Sequence, residues 1–497
     1  MYVNITDHVF TADHAERLAV SFCDKELTYN DLDVYSDNIA AYIKNRFGSG
    51  KEAVGLFISG SLNFCTGLFS ILKAEKAVVP INVGSKAEEI ERLVRYLGIR
   101  LFISDSTAYE KLIAITERDF GIIILDEQGS FEYIGTTDSI SKDYSDPELD
   151  DVAVILHTSG SLSTPKSVML THRNIINSAK AIGDDLAITA EDRSLIILPV
   201  YYASALIGQL FAHMFKGAAV FFTNKILSPK AIFMNIGKYR ITDFSMVPGL
   251  MNETEAMLGR LERYDVASLR YICVSGGAVQ GKRANHLANA YPKVQIIRTY
   301  GLTETSTRVS HYRQPMDTVT DTCAGKTLTD CTVEVRKLGE DTPYGDIYVK
   351  GDNIMKGYYK RSNDNDRVLS NGWLNTGDVG FIDEYGQLHV VGRKKNIIIR
   401  NGENIYPEEI EEVICGFDTV KEAYVYGVED DILGEVPAAD VVLFEGARFD
   451  ENELMEYCRS KMTGSKVPVK YNVTDEIPKT SNGKIKRRKD IVTWKKS

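Results

Sequence analysis

Short apolar segments alternate with stretches of helical periodicity from the start of the chain to about residue 390. The segments 53–58, 77–81 and 194–198 have the length and the aliphatic composition of buried strands. Residues 32–43 and 62–72 instead place apolar side chains three and four positions apart, as amphipathic helices do. This alternation predicts an α/β fold in which sheets and helices form layers. The chain has 497 residues, too many for one compact core, so more than one domain is expected.

The pattern changes twice in the last third of the chain. Around residues 344–349 it becomes short β segments and turns, which predict a β-rich subdomain. After the strand candidate 388–391, a basic segment interrupts the pattern and a helix signal follows. In that helix Pro407 suits the first helical position, and the acidic residues behind it suit the positive end of the helix dipole.

These changes divide the sequence into a large domain, a hinge and a small domain. We predict a large N-terminal domain of layered α/β sheets with a β-rich subdomain over residues 1–391. The predicted hinge covers residues 392–395. Residues 396–497 are enough for a small C-terminal α+β domain.

Composition excludes several classes of protein. The formal charge is −11, from 58 basic and 69 acidic residues, and no basic block occurs before Pro478, which argues against nucleic acid as the main partner. The N-terminus lacks a secretory signal pattern, and no apolar run has the length of a membrane span. The seven cysteines are scattered without a CxxC pair, which predicts free thiols in a reducing, cytoplasmic location.

One hydroxyl-rich loop is suited to binding an anion. It reads Thr158-Ser159-Gly160-Ser161-Leu162-Ser163-Thr164-Pro165-Lys166-Ser167. The loop follows the apolar run 152–156 and precedes a predicted helix start at 171–176. Its hydroxyls and backbone N–H groups can surround a polyphosphate, and its lysine can supply a point charge. The spacing differs from that of the common nucleotide P-loop, and such a segment taken alone is more often a flexible surface loop.

Five further segments become informative when they are read with this loop. They are Ser275-Gly276-Gly277-Ala278, Tyr300-Gly301-Leu302-Thr303-Glu304, Thr376-Gly377-Asp378, Gly392-Arg393-Lys394-Lys395 and Gly483-Lys484. The last of them, taken alone, is typical of a solvated basic tail. In this order and at these separations, the six segments resemble those of the adenylate-forming enzymes. That family contains acyl-CoA synthetases, adenylation domains of peptide synthetases and luciferases, and the chain looks closest to stand-alone acyl-CoA synthetases.

The resemblance implies a ligase that uses ATP and Mg²⁺. In such enzymes a carboxylate attacks the α-phosphate of ATP, which forms an acyl-adenylate and releases pyrophosphate. The acyl group then passes to a thiol, for which coenzyme A is the favoured acceptor. The alternative acceptor is the phosphopantetheine of a separate carrier protein, because no carrier domain follows Lys484 in the chain.

The resemblance also implies roles for individual residues. The ATP phosphates would be bound by Thr158, Ser159, Gly160, Ser161, Thr164 and Lys166. The adenine would lie beside Gly276, Gly277 and Tyr300, and Ser275, Ala278 and Gly301 would also contribute to ATP binding. Asp378 would accept hydrogen bonds from the ribose hydroxyls with the help of Arg393. Thr303 would contact phosphate, and Glu304 would help to hold Mg²⁺, which prefers oxygen ligands.

The resemblance also implies that three more residues act as the enzyme passes from the first half-reaction to the second. Lys484 resembles the mobile lysine that bridges the substrate carboxylate and the α-phosphate, and it lies on the small domain, which must therefore be mobile. Lys395 matches the hinge position, although it could equally be a solvated charge. Gly402 matches the glycine beside the channel through which the thiol arrives.

The chain departs from the family pattern in the phosphate loop. Leu162 stands where relatives have threonine, and Ser163 and Ser167 stand where they have glycine. The loss of two glycines predicts a stiffer loop and weaker ATP binding, so restoring them is expected to raise ATP affinity or turnover. A loop that had lost ATP altogether would leave a non-catalytic acyl-binding protein.

A second departure concerns the acid. Tyr202 occupies a position where CoA-thioester-forming relatives carry histidine, and amino-acid-activating domains carry an aspartate in this region. Without that aspartate a substrate ammonium would be buried unpaired, so a fatty, aryl or other apolar acid is expected. By resemblance its pocket would be formed by Tyr201, Tyr202, Leu206, Pro248, Gly249, Ser275 and Thr299, whose aromatic members could also be core packing. A luciferase-like oxygenase would share every adenylation motif, whereas a serine hydrolase lacks its GxSxG motif.

Overall fold

The computed structural model describes residues 4–115, 120–135, 145–157, 166–223, 228–277, 279–313, 322–339, 342–401, 403–430 and 432–479. Three β-sheets, with helices packed between and around them, make up this part of the chain. The architecture agrees with the predicted α/β class.

The first sheet has 14 strands among the described residues. They are β1 (Leu18–Phe22), β2 (Lys25–Thr28), β10 (Arg193–Ile196), β11 (Ala219–Phe222), β12 (Asp243–Met246), β13 (Tyr271–Val274), β14 (Gln295–Tyr300), β15 (Ser310–Arg313), β16 (Cys323–Thr327), β17 (Cys331–Lys337), β18 (Gly345–Gly351), β20 (Leu369–Ser370), β21 (Trp373–Ile382) and β22 (Leu388–Arg393). Their order is β17-β18-β21-β22-β16-β15-β14-β13-β12-β10-β11-β1-β2, with β20 beside β21. The run from β11 to β14 is parallel, and the run from β14 to β17 is antiparallel. The antiparallel end contains the segment predicted to be β-rich.

The second sheet has eight strands in the order β19-β9-β8-β4-β3-β5-β6-β7. They are β3 (Ala53–Phe57), β4 (Ala77–Pro80), β5 (Leu101–Asp105), β6 (Gly121–Leu125), β7 (Phe131–Ile134), β8 (Val152–His157), β9 (Ser167–Thr171) and β19 (Gly357–Tyr358). Every residue of β3 and β4 is buried, as expected of parallel strands covered on both faces.

The third sheet belongs to the C-terminal part of the chain. Its strands are β23 (Ile398–Arg400), β24 (Glu403–Ile405), β25 (Val420–Asp430), β26 (Gly434–Leu443) and β27 (Tyr471–Val473). Its order is β24-β23-β26-β25, with β27 beside β26. A hydrophobic core of its own, from Ile398 to Tyr471, packs beneath it.

The described residues form 15 α-helices. They are α1 (Thr6–Val9), α2 (Tyr29–Phe47), α3 (Leu62–Lys73), α4 (Ala87–Leu97), α5 (Ser106–Ile113), α6 (His172–Asp185), α7 (Ala203–Ala205), α8 (Ala212–Met214), α9 (Pro229–Tyr239), α10 (Pro248–Ala256), α11 (Leu258–Leu261), α12 (Gly281–Ala290), α13 (Ser362–Val368), α14 (Pro407–Cys415) and α15 (Glu451–Lys461). A π-helical stretch, Leu206–Phe211, joins α7 to α8. Short 3-10 turns lie at Ala12–His14, Pro147–Leu149, Thr303–Thr305 and Lys394–Asn396.

Helix α3 shows how the layers are built. It packs on β1 of the first sheet and on β3, β4 and β5 of the second. Because it lies between two sheets, all of its residues except Lys73 are buried. Its buried hydroxyls bond within the helix: Ser70 donates to the Thr66 carbonyl over 2.6 Å. The helix predicted over 62–72 is therefore present, and its polar residues are as deeply buried as its apolar ones.

The structure corrects the predicted surroundings of the phosphate loop. The loop was expected to lead from a strand directly into a helix. Instead it joins β8 to β9. The two strands pair antiparallel, with His157 opposite Ser167 at one end and Val152 opposite Thr171 at the other. Helix α6 begins only after β9. Strands β8 and β9 thus form a β-hairpin, and main-chain hydrogen bonds hold together the two strand ends that the loop connects.

Two sequence-based expectations can be compared with the described residues. No helix among them is long and apolar enough to cross a membrane. All seven cysteines lie among them, and all are free thiols.

Candidate active site

The carboxyl ends of four strands gather most of the predicted pocket residues. Strands β10, β12, β13 and β14 are parallel neighbours, so their carboxyl ends meet at one edge of the sheet, where open α/β sheets bind ligands. Tyr201 and Tyr202 follow β10, Pro248 and Gly249 follow β12, Ser275 follows β13, and Thr299 is near the end of β14.

Three glycines shape the predicted adenine site. Gly276 has a φ of +90°, and a β-carbon there would lie 3.9 Å from its nearest neighbour. A β-carbon at Gly277 would lie 3.5 Å from Pro248, so the main chain at both positions is accessible to a flat ring. At Gly301 a β-carbon would lie only 2.1 Å from the Thr307 carbonyl oxygen, so a larger residue would displace the turn that follows. Ala278 lies outside the described residues.

Asp378 is a buried carboxylate with two charged or polar partners. It is 3% exposed and lies on β21 directly opposite Arg393 of β22. Arg393 Nε is 2.7 Å from Oδ1, and the Tyr300 hydroxyl donates to Oδ2 over 2.7 Å. The carboxylate raises the pKa of Arg393, and burial together with the carboxylate raises the pKa of Tyr300 well above its usual value. Two residues predicted to contact different parts of ATP, Tyr300 and Asp378, therefore form one unit.

Lys166 and Glu304 are brought together through a residue that the sequence analysis did not identify. The Lys166 ammonium lies 4.4 Å from the centre of the Tyr358 ring, and the Tyr358 hydroxyl donates to Glu304 Oε1 over 2.8 Å. Thr303 and Glu304 lie in the 3-10 turn that follows β14. The Lys166 ammonium is also 4.0 Å from the Asp364 carboxylate.

The base of the phosphate hairpin holds a partly buried polar pair. Ser167 is fully buried, and its hydroxyl lies 3.1 Å from His157 Nδ1 across the hairpin. Burial lowers the pKa of His157 to about 4, so the imidazole is neutral at pH 7. His157 Nε2 is buried without a hydrogen-bond partner among the described residues. The predicted phosphate-binding residues Thr158, Ser159, Gly160, Ser161 and Thr164 lie outside the described residues.

The predicted acyl pocket carries aromatic side chains. The rings of Tyr201 and Tyr202 meet edge to face with centroids 4.6 Å apart. Burial raises the pKa of Tyr201, which keeps its hydroxyl protonated. Leu206 is fully buried at the start of the π-helical stretch, a conformation found frequently at functional sites. Thr299 donates to the Val274 carbonyl over 3.4 Å, which joins β14 to β13 at this edge.

The predicted hinge is a short turn between the first and third sheets. Arg393 ends β22, and Lys394, Lys395 and Asn396 form a 3-10 turn. Lys394 pairs with Asp346 of the first sheet over 2.7 Å, whereas Asn396 donates to Glu408 of α14 over 3.0 Å. The turn is thus bonded to both sides, and Lys395 between them is exposed. Gly402 and Lys484 lie outside the described residues.

The carboxylates of the site suit a magnesium ion that is shared with a nucleotide. No group of three or more His, Cys, Asp or Glu side chains within the described part of the chain is placed to hold a metal ion. Mg²⁺ bound to nucleotides needs only one or two protein carboxylates, because phosphates and waters supply its other ligands. Glu304, half-buried beside Lys166, is a carboxylate of this kind.

Comparison with known proteins identifies the family. The model of the AMP-binding enzyme family matches residues 8–359, and that of the AMP-binding enzyme C-terminal domain matches residues 409–484. The chain belongs to the AMP-binding enzymes. The predicted membership of the adenylate-forming superfamily is therefore confirmed.

Individual relatives of this AMP-binding enzyme are ligases that form CoA thioesters. The chain is 30% identical to a 2-succinylbenzoate–CoA ligase of Bacillus pumilus, over 95% of this chain and 94% of the relative. It is 30% identical to a feruloyl-CoA synthase of Amycolatopsis, over 84% of each protein. The o-succinylbenzoate CoA synthetase of Bacillus subtilis, solved with its acyl-adenylate intermediate, superimposes with a TM-score of 0.81 at 27% identity, covering 99% of this chain and 98% of the other.

These relatives bear on the class of reaction as well as on the fold. The predicted layered α/β fold with a small C-terminal domain is confirmed. The predicted enzyme class, an AMP-forming acid–thiol ligase of the acyl-CoA synthetase type, is confirmed as well. ATP, Mg²⁺ and coenzyme A are the cofactors of this class, and the relatives support coenzyme A over a carrier protein.

Sequence reasoning missed two residues of the candidate site of this AMP-binding enzyme. Tyr358 carries no motif of its own, and its partner Glu304 is 54 residues away in the chain. His157 is the last residue of β8, and only the pairing of β8 with β9 reveals that it lies beside Ser167. Neither residue could have been found from periodicity.

Replacing Asp378 by asparagine tests the Tyr300–Asp378–Arg393 unit. The amide keeps the shape but removes the charge that pairs with Arg393, and hydrogen bonds to charged groups contribute about 1.5–3 kcal/mol each. We expect the dissociation constant for ATP, measured by calorimetry, to rise by about tenfold to a hundredfold. Asp383→Asn is the control, because that carboxylate caps a turn through the N–H groups of Tyr385 and Gln387. Unchanged ATP affinity in Asp378→Asn would rule out a role of this carboxylate in nucleotide binding.

The Ser167–His157 pair changes the expectation for one of the two serines that replace glycine. Ser167→Gly removes a hydroxyl from a partly buried imidazole, and a polar group left unsatisfied by such a change costs about 1–3 kcal/mol when it is buried. We therefore expect Ser167→Gly to lower the free energy of unfolding by about that amount, without the gain in ATP affinity predicted from the loop sequence. Ser163 lies outside the described residues, and the gain in ATP affinity predicted for Ser163→Gly is unchanged. Urea unfolding and ATP calorimetry on both variants separate the two positions, and a gain in affinity for Ser167→Gly would show that stiffness dominates there too.

Proposed function

We propose that this ligase activates an aromatic carboxylic acid with ATP and transfers the acyl group to coenzyme A. The observation that carries the proposal is the arrangement at the carboxyl edge of the first sheet. There the buried carboxylate of Asp378 accepts a hydrogen bond from Tyr300 at the end of β14, and a second carboxylate, Glu304, lies in the turn that follows β14. Tyr201 and Tyr202 follow β10 at the same edge of the sheet.

The nucleotide would lie along this edge. Gly276 and Gly277 leave room for the adenine beside Tyr300, and Asp378 has the acceptor oxygens that ribose hydroxyls need. Arg393 would keep Asp378 ionised and oriented. Lys166, Thr303 and the hydroxyls of the phosphate loop would hold the triphosphate, and Lys484 would reach the α-phosphate from the small domain.

The first half-reaction is the attack of the acid's carboxylate on the α-phosphate, with pyrophosphate as the leaving group. Negative charge grows on the phosphate oxygens in the transition state, so the protein contributes mainly by positioning and by electrostatic stabilisation. Lys166 and Lys484 would supply positive charge, and Thr303 a hydroxyl donor. Glu304 would help to hold Mg²⁺, which would supply further positive charge near the phosphate oxygens.

The side chains around the predicted acyl pocket favour an aromatic acid. Every predicted pocket residue is uncharged, so an ammonium or a second cationic group would find no counter-charge among them. The Tyr201–Tyr202 pair presents ring edges and faces, against which an aryl group packs in offset or edge-to-face geometry. Two relatives that span most of the chain are named for aromatic acids, 2-succinylbenzoate and ferulate.

The acceptor is coenzyme A in this proposal. Support comes from the relatives, which are CoA ligases. Gly402 would border the thiol channel after the small domain turns about Lys395. We also place the reaction in the cytoplasm, where the seven free cysteines would remain reduced.

A screen of pyrophosphate release tests the proposal. The purified chain is incubated with ATP, Mg²⁺ and single acids from aryl, fatty and amino-acid classes, with and without coenzyme A. We expect aryl acids to give the highest kcat/KM and coenzyme A to convert a single turnover into continuous turnover. Preference for fatty acids would overturn the aromatic assignment, and turnover only with a phosphopantetheinylated carrier protein would overturn the acceptor. Acid binding without pyrophosphate release would reveal a non-catalytic protein, and light emission with a luciferin would reveal an oxygenase.

A further inference from the structure

Tyr358 lies on a two-residue strand that is fixed from both sides. Strand β19 pairs with β9, the strand that leaves the phosphate loop, with Tyr358 opposite Val168. The N–H groups of Lys356 and Tyr359 donate to the Met169 and Ser167 carbonyls, each over 2.9 Å. The position of the Tyr358 backbone is therefore set by the phosphate hairpin itself.

The same segment is also bonded to the turn that carries Glu304. The Met355 N–H donates to the Glu304 carbonyl over 2.9 Å, and the Tyr358 hydroxyl donates to the Glu304 carboxylate over 2.8 Å. Tyr358 is 4% exposed. Burial and the neighbouring Glu304 raise the pKa of the Tyr358 hydroxyl, so it remains a donor throughout the range in which enzymes work. A charge-assisted hydrogen bond of this kind, in a partly buried position, fixes the direction of the carboxylate.

The ring of Tyr358 faces the phosphate loop. The Lys166 ammonium lies 4.4 Å from its centre, within the range of a cation–π interaction. The Lys166 side chain is 40% exposed, so it can reach a ligand without losing this support. The hydroxyl and the face of one aromatic side chain thus contact two groups of opposite charge. One group, Lys166, directly precedes a strand of the second sheet, and the other, Glu304, lies in the turn after a strand of the first sheet.

We propose that Tyr358 is a positioning residue that holds the Lys166 ammonium and the Glu304 carboxylate in place for a magnesium–nucleotide triphosphate. The inference rests on the roles proposed above for Lys166 and Glu304. The ammonium would meet phosphate oxygens and the carboxylate would meet the metal ion, so their relative placement matters more than either charge alone. Neither the motifs nor the resemblance assigned a role to this tyrosine.

A structural role is the alternative, and the next residue provides a control for it. Tyr359 is equally buried, and its hydroxyl donates to the Asp146 carboxylate over 2.6 Å, on the side of the core beneath the second sheet. Tyr358→Phe and Tyr359→Phe each remove one buried hydroxyl from a carboxylate. Both variants are therefore expected to lose similar stability, whereas only Tyr358→Phe should change metal–nucleotide binding.

The test measures ATP binding by calorimetry at a series of Mg²⁺ concentrations, in the absence of any acid. For Tyr358→Phe we expect the Mg²⁺ concentration that gives half of the maximal ATP affinity to rise by about tenfold. Tyr358→Leu removes the ring as well, so the ATP dissociation constant at saturating Mg²⁺ should rise by a further factor of about three to ten. Tyr359→Phe should match the parent protein in both measurements. A Tyr358→Phe response equal to that of Tyr359→Phe would overturn the proposal.

A double-mutant cycle tests whether Tyr358 acts through Glu304. If it does, Tyr358→Phe should change the Mg²⁺ response little in a Glu304→Gln background, because the group that it positions has lost its charge. Additive effects would assign Tyr358 a separate, structural influence and would overturn the proposal. A parent protein that binds no Mg²⁺–ATP would overturn the proposed function itself, whereas normal binding by the parent and by Tyr358→Phe alike would overturn this inference alone.

Discussion

Lys484→Ala is expected to lower the rate of acyl-adenylate formation by at least about a hundredfold to a thousandfold, the loss that follows removal of one electrostatic stabiliser of a transition state. Formation of the thioester from a supplied acyl-adenylate should be largely spared. The reason is that Lys484 matches a residue that acts only when the small domain is closed for adenylation. The C-terminal family model extends to residue 484 and so includes it. Pyrophosphate release reports the first half-reaction, and thioester yield from synthetic acyl-adenylate reports the second.

Lys479→Ala is the matched control for that variant. Lys479 lies close to Lys484 in sequence, and its ammonium pairs with Glu422 of β25 over 2.7 Å with 37% of the side chain exposed. Exposed pairs of this kind contribute about 0–1 kcal/mol, so both half-reactions should stay within about a few-fold of the parent rates. Equal loss of both half-reactions in Lys484→Ala would argue for a general structural effect.

Lys395→Pro is expected to separate the two half-reactions at the hinge. Proline fixes φ near about −65° and disfavours helical backbone at the residue before it, here Lys394 at the start of the 3-10 turn. Adenylation should survive, because engagement of ATP by Lys484 holds that closure. The rate of transfer to the thiol should fall by about a hundredfold, because transfer needs rotation about this turn. A loss of that size follows when a reacting group is displaced by about an ångström. Single-turnover formation of acyl-AMP followed by a thiol chase measures the two steps in order.

Lys395→Ala separates the backbone effect from the charge. It removes the same ammonium but leaves the main chain free to rotate, so both steps should proceed at nearly the parent rate. Loss of transfer in Lys395→Ala would mean that the ammonium, rather than the rotation, is required. A Lys395→Pro variant that completes transfer at the parent rate would remove this residue as the pivot.

The layered α/β fold could be predicted from the sequence because several of its strands are continuously apolar. Segments 53–58 and 77–81 are buried on both faces, so their composition alone distinguishes them from helices and loops. The short strand β9 was missed because it follows a proline and directly precedes a clear helix signal. Its existence depends on pairing with β8, and local sequence does not reveal pairing.

The candidate site, too, could be predicted from the sequence only in part. Asp378 and Arg393 could each be proposed from their motifs, and the structure adds that they face one another across β21 and β22. Tyr358 could not be proposed, because its importance arises from two contacts that are distant in sequence, one with Lys166 and one with Glu304. The motifs thus identify residues that would touch ATP, whereas the residues that hold them in place appear only with the fold.

The segment from Met355 to Tyr359 places a particular limit on how related sequences can diverge. Its ties to Glu304, Met169 and Ser167 are made by main-chain N–H groups, which any residue except proline supplies. Substitution at Lys356 leaves those ties intact. Insertion or deletion of one residue would turn the Tyr358 side chain to the opposite face of the strand, because side chains alternate along it. Over evolutionary time this segment can exchange a residue such as Lys356, but it cannot change its length.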